Sequence, residues 1–501
     1  MTDVTLILEG TYPYVAGGVS SWVHQLLHAY PERTFSLLHI GPQPGAYEEP
    51  LYELPDNVLS LEEIHCRGQE RVHRRWSQRT VETRRAGERS RVLAAIRRLH
   101  IEDRVDDELL DDLAAGDLSI AEFLHGDAVF DLLRGELYEL LSPEFPFMDF
   151  FWHFRAMHIP LLRLLEARCP EASVYHAVST GYAGLVGAIA SWKQRRPLVI
   201  TEHGIYARER EIELSRATWI RDRIGIPGAA TPSPLRRFWS HYFKMLSRIA
   251  YHRATRLITL SESNRNHQLA DGADLLKTAV VPNGVHHERF PRSSRASSSG
   301  EPGTMRVGFV GRVVPIKDVI TLIRACSLAL DQVDLEVWII GPEDEDRTYA
   351  RRCRSLVEMM GIEDHIQFLG PQPMADMYPQ LDVVLLTSIS EGQPLVILEA
   401  YAAGLPVVAT DVGACRELIE GCVGGDAAIG PSGIVTRVAN PTETAAALVF
   451  LAKNRDVREA MGRSGHQRVT ARYRQQQVEE QYDSLYTSME TWQESAGNLN
   501  A

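Results

Sequence analysis

The sequence predicts an α/β protein built from two parallel-sheet domains. Short runs of β-branched and aliphatic residues alternate with helical patterns along most of the 501 residues, and this alternation is typical of βαβ units. The alternation stops at a polar segment and then starts again, which indicates two such domains. At roughly 100 to 200 residues per domain, the length agrees with two or three domains.

The first domain is predicted at 1–290 and is interrupted by a helical insertion at about 61–168. Its strand-like runs are Val4–Leu8, Leu37–Ile40, Val174–His176, Leu198–Thr201, Arg256–Leu260 and Ala279–Val281. The insertion shows helical periodicity with no convincing strand, and its arginines and acidic residues are dense. A surface of that kind either faces solvent or binds a protein partner.

A polar linker, a second domain and a terminal helix follow. Residues 291–303 are too rich in Ser, Gly and Pro to build a core and are predicted as the linker. The second domain is predicted at 304–471, with strands at Met305–Val310, Leu335–Ile340, Ile366–Leu369, Val383–Leu386 and Val407–Thr410. Residues 472–495 are predicted as a helix with an apolar side made of Tyr473, Val478, Tyr482, Leu485, Tyr486 and Met489.

Composition and charge exclude several classes of protein. The chain has 53 Lys and Arg against 66 Asp and Glu, and the net charge of −13 disfavours nonspecific binding to nucleic acid or to an anionic membrane. The N-terminus has no basic leader and no stretch reaches about 18 uninterrupted apolar residues, so a cytoplasmic protein is expected. The six cysteines form no C-x-x-C pair, which favours packed, reduced thiols over a disulfide framework or a zinc site.

Two glutamates eight residues apart form the most informative pattern in the sequence. Glu391 lies in the loop after the predicted strand Val383–Leu386, and Glu399 lies in the helix that follows. The carboxyl ends of parallel strands are where α/β folds bind anionic ligands. We therefore expect the two carboxylates to contact different parts of one extended ligand.

The helix that carries Glu399 has recognisable start and stop signals. Pro394 suits the first helical position, and Gly404 suits the position just past the end. Leu395 and Val396 would then offer free N–H groups to an anion.

A basic loop follows the first strand of the second domain. Gly311 lets a ligand approach the backbone there, and Arg312 and Lys317 supply two cations. This pair can neutralise a diphosphate leaving group, which an acidic protein needs in order to bind an anion. Because this loop and the Glu391 loop follow strands of one domain, both are expected at one crevice.

Three further patterns have competing interpretations. Gly17 and Gly18 follow the first strand without full G-x-G-x-x-G spacing, which argues against a dinucleotide cofactor. His203 ends a predicted strand, where it either meets a ligand or is an ordinary buried histidine. Asp344–Asp346 has the form of a metal site, but acidic residues also favour the first turn of a helix, and we prefer that interpretation and predict no metal.

With these residues assembled, the chain resembles the retaining GT-B glycosyltransferases of family four. The motifs that carry the resemblance are paired glutamates, a phosphate-binding pair, an N-terminal glycine loop and an interdomain N-G-V: Glu391 and Glu399, Arg312 and Lys317, Gly17 and Gly18, and Asn283-Gly284-Val285. The resemblance implies two Rossmann-like domains that face a central cleft, with the helix at 472–495 crossing back to the first domain.

The resemblance also implies roles for the catalytic candidates. Glu391 would contact the donor hexose, while Arg312 and Lys317 would stabilise the departing diphosphate. His203 would approach the sugar from the first domain, which would also bind the acceptor. The implied donor-binding residues are Glu399, at the ribose hydroxyls, together with Gly17, Gly18, Gly311, Gln393, Pro394, Leu395, Val396 and Asn283. Gln393-Pro394 departs from the aromatic residue and glycine of many members, which leaves the preferred sugar open.

More narrowly, the chain resembles the Pel-type exopolysaccharide glycosyltransferases in its helical insertion and in the motifs at Glu9–Val15, Gly17–Val23, Thr201–Tyr206 and Glu391–Leu395. This implies a UDP-sugar donor, either UDP-glucose or UDP-N-acetylhexosamine, with UDP as product and no cofactor. The implied acceptor is a growing polysaccharide, and the implied partners are inner-membrane Pel export or synthase proteins, with recruitment through the insertion.

Two other functions stay open at this point. One is a UDP-N-acetylglucosamine 2-epimerase-like enzyme. The glutamate pair beside a basic loop favours a transferase over this alternative. The other is a non-catalytic UDP-sugar-binding subunit of a membrane synthase, against which the intact Glu391, Arg312 and Lys317 argue. A dehydrogenase is disfavoured because no G-x-G-x-x-G with a following acidic ribose ligand occurs.

Overall fold

The computed structural model describes residues 1–68, 90–140, 146–220, 233–292, 303–422 and 425–498. Contacts divide the chain into two units. Unit 1 comprises Met1–Thr259, Asn266–Ala279 and Asp483–Ala501, and unit 2 comprises Leu260–Arg265 and Val280–Tyr482. Most of the predicted linker, 293–302, lies outside the described residues, and the predicted domain limits stay predictions.

The described part of unit 1 contains a seven-stranded sheet. Its strands are β1 (Thr2–Glu9), β2 (Phe35–Gly41), β3 (Val58–His65), β4 (Ala172–Ala177), β5 (Leu198–Glu202), β6 (Arg256–Thr259) and β7 (Thr278–Val280). Their order is β3-β2-β1-β4-β5-β6-β7, and the pairs from β3 to β6 are parallel. The strand order reverses between β1 and β4, which makes this the switch point of the sheet.

Helices cover this sheet and include those of the predicted insertion. They are α1 (Gly18–Ala29), α2 (Arg91–Ile101), α3 (Asp107–Ala114), α4 (Ile120–His125), α5 (Asp127–Leu132), α6 (Tyr138–Leu140), α7 (Phe147–Glu166), α8 (Tyr182–Gln194), α9 (Tyr206–Arg216), α10 (Pro234–Arg253) and α11 (Glu262–Ala270). Leu99, Leu113 and Phe154 of the insertion share one apolar core with Ile7 and Leu38 of the sheet. The described part of the insertion is therefore built into unit 1.

The prediction of helix throughout 61–168 is wrong at its beginning. Residues Val58–His65 form β3, which pairs with β2 in a register that runs from Ser36 with Ser60 to Gly41 with His65. This strand lies at the edge of the sheet and carries exposed glutamates, so it lacks the apolar run by which buried parallel strands are recognised. Residues 69–89 and 141–145 of the insertion lie outside the described residues.

The described part of unit 2 contains a six-stranded parallel sheet. Its strands are β8 (Met305–Val310), β9 (Leu335–Ile340), β10 (Ile366–Gly370), β11 (Val383–Leu386), β12 (Val407–Thr410) and β13 (Gly433–Thr436), in the order β10-β9-β8-β11-β12-β13. The sequence missed β13 because it begins with a glycine and its two central residues are only partly buried. Gly433 is required there, since a Cβ would lie 1.9 Å from the carbonyl oxygen of Val407.

Helices cover both faces of the second sheet. They are α12 (Val319–Leu330), α13 (Arg347–Met360), α14 (Met374–Met377), α15 (Leu395–Ala402), α16 (Cys415–Glu420), α17 (Pro441–Lys453) and α18 (Arg455–Arg472). Val383 and Leu385 join one apolar core, whereas Val384 and Leu386 join another. Because successive side chains of a strand point to opposite faces, β11 reads as an uninterrupted apolar run.

The terminal helix, α19 (Gln475–Asn498), begins later than the predicted position 472. Val285 N donates to the carbonyl oxygen of Tyr473 at 2.9 Å, and Gln475 N donates to the carbonyl oxygen of Val285 at 3.1 Å. This extended pairing occupies the residues before the helix.

Among the residues with described placement, no helix combines the length and the apolar character needed to cross a bilayer.

Candidate functional site

The two predicted loops of unit 2 meet at the switch point of its sheet. The strand order reverses between β8 and β11, and the basic loop follows β8 while the Glu391 loop follows β11. Ile389 N donates to the carbonyl oxygen of Ile316 at 2.8 Å, and Thr387 Oγ1 donates to the carbonyl oxygens of Lys317 and Asp318 at 3.1 and 3.0 Å. Hydrogen bonds therefore fix the two loops to each other.

Lys317 and Glu391 form an ion pair at this point. Lys317 Nζ lies 2.5 Å from Glu391 Oε1, and the two side chains are only 18% and 11% exposed. Ser388 Oγ donates to the same carboxylate oxygen at 2.6 Å. Gly413, at φ 51°, packs so closely that a Cβ would lie 2.1 Å from the carbonyl oxygen of Glu391. Both the side chain and the backbone of Glu391 are thus held in place.

Arg312 is paired with Glu345 and not with the Glu391 carboxylate. Its Nη1 donates to both carboxylate oxygens of Glu345, at 2.7 and 2.6 Å, and both side chains are about half exposed. The neighbouring Asp346 accepts a hydrogen bond from Tyr349 N at 2.9 Å and so caps α13. Within the described ranges, no group of three or more His, Cys, Asp or Glu is arranged to hold a metal ion.

Glu399 lies on α15 and is held by a tyrosine from another segment. Tyr378 Oη donates to Glu399 Oε2 at 2.7 Å. Burial raises the pKa of Glu399, and the hydrogen bond from Tyr378 opposes that increase. Burial and the nearby carboxylate also raise the pKa of Tyr378, so its hydroxyl remains a donor.

Helix α15 begins one residue later than the sequence indicated. Pro394, with φ −72° and ψ 116°, precedes the helix instead of taking its first position, because that ψ is extended. The first helical N–H groups therefore belong to Leu395 and Val396, and no side chain of the described residues caps this helix N-terminus. Gly404 follows the helix at φ 75°, a left-handed conformation that favours glycine, and this part of the prediction is confirmed.

Gln393 connects the Glu391 loop to the N-G-V segment. Its Oε1 accepts a hydrogen bond from Asn283 N at 2.5 Å, and its carbonyl oxygen lies 3.4 Å from Asn283 Nδ2. Gly284 packs against the start of α19, where a Cβ would lie 2.6 Å from the Cα of Gln475. The structure thus brings together Asn283 and Gln393, which are far apart in sequence.

In unit 1, Gly17 and Gly18 begin α1 in open space. Gly17 has an extended backbone with φ 166°, and no heavy atom of the described residues lies within 4 Å of the Cβ position of either glycine. His203 contacts the same helix, because its ring packs edge-on against Trp22 at 4.7 Å. Burial lowers the pKa of His203 to about 4, and its buried Nε2 has no hydrogen-bond partner among the described residues. His203 is therefore neutral at pH 7.

Two glutamates to which the sequence motifs gave no individual role, the partly buried Glu9 and the fully buried Glu202, hold the carboxyl ends of β1 and β5. Glu9 accepts hydrogen bonds from Tyr182 N at 2.8 Å and from Tyr206 Oη at 3.2 Å. Glu202 accepts four, at 2.7 to 3.0 Å, from Thr180 Oγ1, Tyr206 N, Tyr251 Oη and Gln268 Nε2. Burial raises the pKa of both glutamates. A carboxylate at the end of a buried strand is the signal by which both could have been found, whereas the prediction for β5 names the next residue, His203.

Other site residues that the sequence missed are Tyr378, Ser388 and Glu345. Ser388 was detectable, because it lies three positions before Glu391 in the same loop. Glu345 lies in the acidic run 344–346, which the sequence pattern assigned to the start of a helix and not to a partner of Arg312. Tyr378 gave no signal, because it pairs with a residue 21 positions away.

Comparison with known families identifies both parts of the chain. Residues 2–275 match the family described as domain of unknown function (DUF3492), and residues 304–454 match the family described as glycosyl transferases group 1. A D-inositol 3-phosphate glycosyltransferase of Corynebacterium jeikeium is 34% identical over 222 residues, which cover 41% of this chain and 51% of that protein. An MMP alpha-(1->4)-mannosyltransferase of Mycolicibacterium hassiacum is 27% identical over 333 residues, covering 65% and 72%. The chain spans about half the length of the D-inositol 3-phosphate glycosyltransferases that it matches.

Solved structures share the fold at low sequence identity. Sucrose-phosphate synthase from Thermosynechococcus elongatus is 16% identical, with a TM-score of 0.58 over 97% of this chain and 99% of that one. HepE of Anabaena, solved with UDP-glucose, is also 16% identical, with a TM-score of 0.56 over 97% of this chain and 99% of that one. These likenesses confirm the predicted GT-B fold class with two Rossmann-like domains. The chain belongs to the family described as domain of unknown function (DUF3492) and carries a domain of the glycosyl transferases group 1.

Proposed function

We propose that this chain is a retaining glycosyltransferase that moves a hexose from a UDP-sugar to a growing polysaccharide. The observation that carries the proposal is the Lys317–Glu391 ion pair at the switch point of the second sheet, with Glu399 on the helix that follows. A cation there can bind a diphosphate, and two fixed carboxylates can accept hydrogen bonds from the hydroxyls of a sugar and a ribose. The match to glycosyl transferases group 1 over 304–454 supports this assignment.

The proposed mechanism follows from the charges that develop when the anomeric C–O bond breaks. Positive charge builds on the sugar and negative charge builds on the diphosphate. Lys317 and Arg312 would bind the departing diphosphate more tightly in the transition state than in the ground state. Both cations are now paired with carboxylates, so donor binding requires each to exchange or share its partner.

Glu391 would position the hexose and stabilise its positive charge. Its carboxylate is fixed by Lys317 and Ser388, which suits an electrostatic role on the sugar. We propose front-face attack by the acceptor with retention of configuration, without a glycosyl-enzyme intermediate. Trapping a covalent sugar on Glu391 would contradict this assignment, because it would mean a double displacement.

Unit 1 would contribute Gly17, Gly18 and His203. Neither positive φ nor packing requires glycine at 17 and 18, so we propose that the absence of side chains leaves room for the donor. The neutral His203, whose Nε2 has no partner in the described part of the chain, would hydrogen-bond the hexose. The reaction is proposed to need neither a metal ion nor a cofactor.

The biological setting is proposed from motif resemblance to PelF, the glycosyltransferase of Pel exopolysaccharide synthesis. It would be cytoplasmic, with inner-membrane export or synthase proteins as partners that contact the insertion. Because the insertion shares the core of unit 1, its deletion would disturb folding. An exposed substitution such as Phe130→Asp is the better test, and recruitment that survives a series of such changes would contradict this role.

The first experiment is isothermal titration of the protein with UDP, ADP, GDP, dTDP and CDP in the presence of a chelator. We expect selective UDP binding that weakens in Glu399→Ala but not in Glu420→Ala, a matched change at an exposed glutamate of unit 2. Binding of no nucleotide, or binding only with added metal, would contradict the proposal. Incubation of UDP-N-acetylglucosamine in deuterated water should give no exchange at the second carbon of the sugar, which excludes an epimerase.

A further inference from the structure

An aromatic and polar surface lies at the carboxyl ends of β1, β2 and the edge strand β3 of the first sheet. Tyr14 follows β1 and Tyr47 follows β2, and their rings stack at 5.3 Å with an interplanar angle of 11°. His39 of β2 packs against both rings, at 4.8 and 5.4 Å. Tyr14 Oη also donates to the carboxylate of Glu63 on the edge strand β3. Both tyrosines are half-buried, so their rings are accessible yet held in place.

A cavity of about 390 Å³ adjoins this surface. It shares Glu63 with the aromatic surface, as well as His65, whose Nε2 lies 3.4 Å from Glu63 Oε2. The volume falls in the range of small-molecule sites, about 300 to 1,000 Å³. The remaining charged residues of its wall are Glu62, Arg67, Arg163, Glu166 and Arg168.

Two buried polar atoms at this place have no hydrogen-bond partner among the described residues. One is Nε2 of His39, a residue that is only 1% exposed, and the other is Nε of Arg163. Burial lowers the pKa of His39 to about 4, so the ring is neutral. Buried polar atoms are usually satisfied, and unpaired ones need a reason. Arg163 also lines the cavity, so the unpaired atoms lie at the aromatic surface and at the cavity.

The chemistry of this site favours a polyhydroxylated ligand over an ion. Three arginines and three glutamates line the cavity, so the charges of the two signs balance. Sugar hydroxyls use donors and acceptors together, whereas a phosphate would be repelled by the carboxylates. Aromatic rings beside such a cavity pack against the C–H faces of pyranose rings.

We infer that the Tyr14–Tyr47 surface and its adjoining cavity bind a carbohydrate chain, as a site additional to the donor site of unit 2. The inference rests on the proposed function in one respect, since a polysaccharide-building enzyme supplies the chain that this site would hold. Tyr14 and Tyr47 provide the platform for one sugar ring, and the charged wall binds hydroxyls of the next. A site at the edge strand keeps the polymer attached to the enzyme between transfers.

The test is a ligand-observed NMR titration of the full chain with defined pentaoses. The probes are cellopentaose, chitopentaose, its fully de-N-acetylated form and pentagalacturonate, which cover neutral, N-acetylated, cationic and anionic chains. We expect saturable binding of at least one pentaose, weakened about tenfold by Tyr47→Ala, the upper value for a lost aromatic contact. The double variant Arg67→Ala/Arg168→Ala, at two exposed wall residues, should also weaken it.

Trp152→Ala is the matched control, because Trp152 is an aromatic residue of unit 1 that is 58% exposed outside this site. Binding of no pentaose, or binding that is lost in Trp152→Ala and kept in Tyr47→Ala, would overturn the inference. Binding of inorganic pyrophosphate at the arginines in place of the pentaoses would overturn it as well. UDP titration of the same sample separates the two proposals: UDP binding without pentaose binding refutes only this site, whereas the reverse refutes only the donor assignment.

Discussion

Tyr378 donates a hydrogen bond to Glu399 from a fully buried ring, with an Oη to Oε2 distance of 2.7 Å. Phe290 packs edge-on against the same tyrosine at 5.6 Å, which holds the phenol in place. The carboxylate proposed to bind the ribose is therefore oriented by a side chain outside its own loop and helix. Its proton affinity is set by two opposed effects, burial and this hydrogen bond.

The change Tyr378→Phe should move the acid limit of UDP binding to higher pH. The hydrogen bond lowers the pKa of Glu399, so its removal raises that pKa and the carboxylate is protonated at a higher pH than before. Because the hydrogen bond also orients the Glu399 carboxylate, UDP affinity at pH 8 should fall by up to about tenfold, the factor that corresponds to the loss of one hydrogen bond. UDP titrations from pH 5 to 8 measure both effects. Identical pH profiles of the two proteins would show that Tyr378 has only a packing role.

Replacement of Lys317 by alanine should reduce turnover more than it weakens UDP binding. Loss of a fixed charge at the leaving group costs about a hundredfold to a thousandfold in rate, by comparison with lost oxyanion-hole donors. Rates with saturating donor and UDP titrations give the two numbers. Lys453→Ala, at an exposed lysine of unit 2, should change neither. Equal losses in rate and in affinity would contradict a transition-state role for Lys317.

The change Glu345→Gln should strengthen UDP binding. Glu345 occupies the guanidinium of Arg312, so its neutralisation frees a cation for the diphosphate. An exposed ion pair is worth up to about 1 kcal/mol, which corresponds to a gain of up to about fivefold. The gain should decrease at high salt, because the interaction is screened. Arg312→Ala should weaken UDP binding, and unchanged affinity in Glu345→Gln would show that the pair does not compete with the ligand.

A buried histidine pair in the insertion should make the stability of unit 1 depend on pH. His158 Nδ1 donates to the carbonyl oxygen of Phe154 at 2.8 Å, so its Nε2 accepts from His100 Nε2 at 3.0 Å. Burial lowers the pKa of His158 to about 4 and that of His100 well below its ordinary value. Both rings are neutral in the folded protein, whereas in the unfolded chain they take up protons near pH 6.5. Stability is therefore lost as pH falls from about 6.5 towards 4.

The double variant His100→Phe/His158→Leu should reduce this loss. Each histidine that stays neutral in the folded protein lowers the free energy of unfolding by up to about 1.4 kcal/mol per pH unit as pH falls through that window. Phenylalanine at 100 keeps the ring stacked on Phe238, which lies 4.2 Å away. Urea unfolding followed by tryptophan fluorescence from pH 8 to pH 4.5 measures the slope, and the value at pH 8 accounts for the change in packing. An unchanged slope would contradict the assignment.

The strands of the fold were predictable where they are buried on both faces. Val383–Leu386 and Val407–Thr410 were found at their observed limits, because parallel strands covered by helices are continuous apolar runs. Two strands were missed, Val58–His65 and Gly433–Thr436. The first is half-exposed and polar, and the second begins with a glycine and is only partly buried. A local run of apolar residues indicates a strand that is buried on both faces, and these two strands are only partly buried.

The spacing of Glu391 and Glu399, the basic loop and the glycine turn are local features that can be read from consecutive residues. The partners of these groups are not local: Lys317 meets Glu391 across 74 positions, Arg312 meets Glu345 across 33, and Tyr378 meets Glu399 across 21. Strand order decides such meetings, because β8 and β11 are neighbours in the sheet although β9 and β10 separate them in the chain. The residue types therefore followed from the sequence alone, whereas the pairing of each charge required the folded sheet.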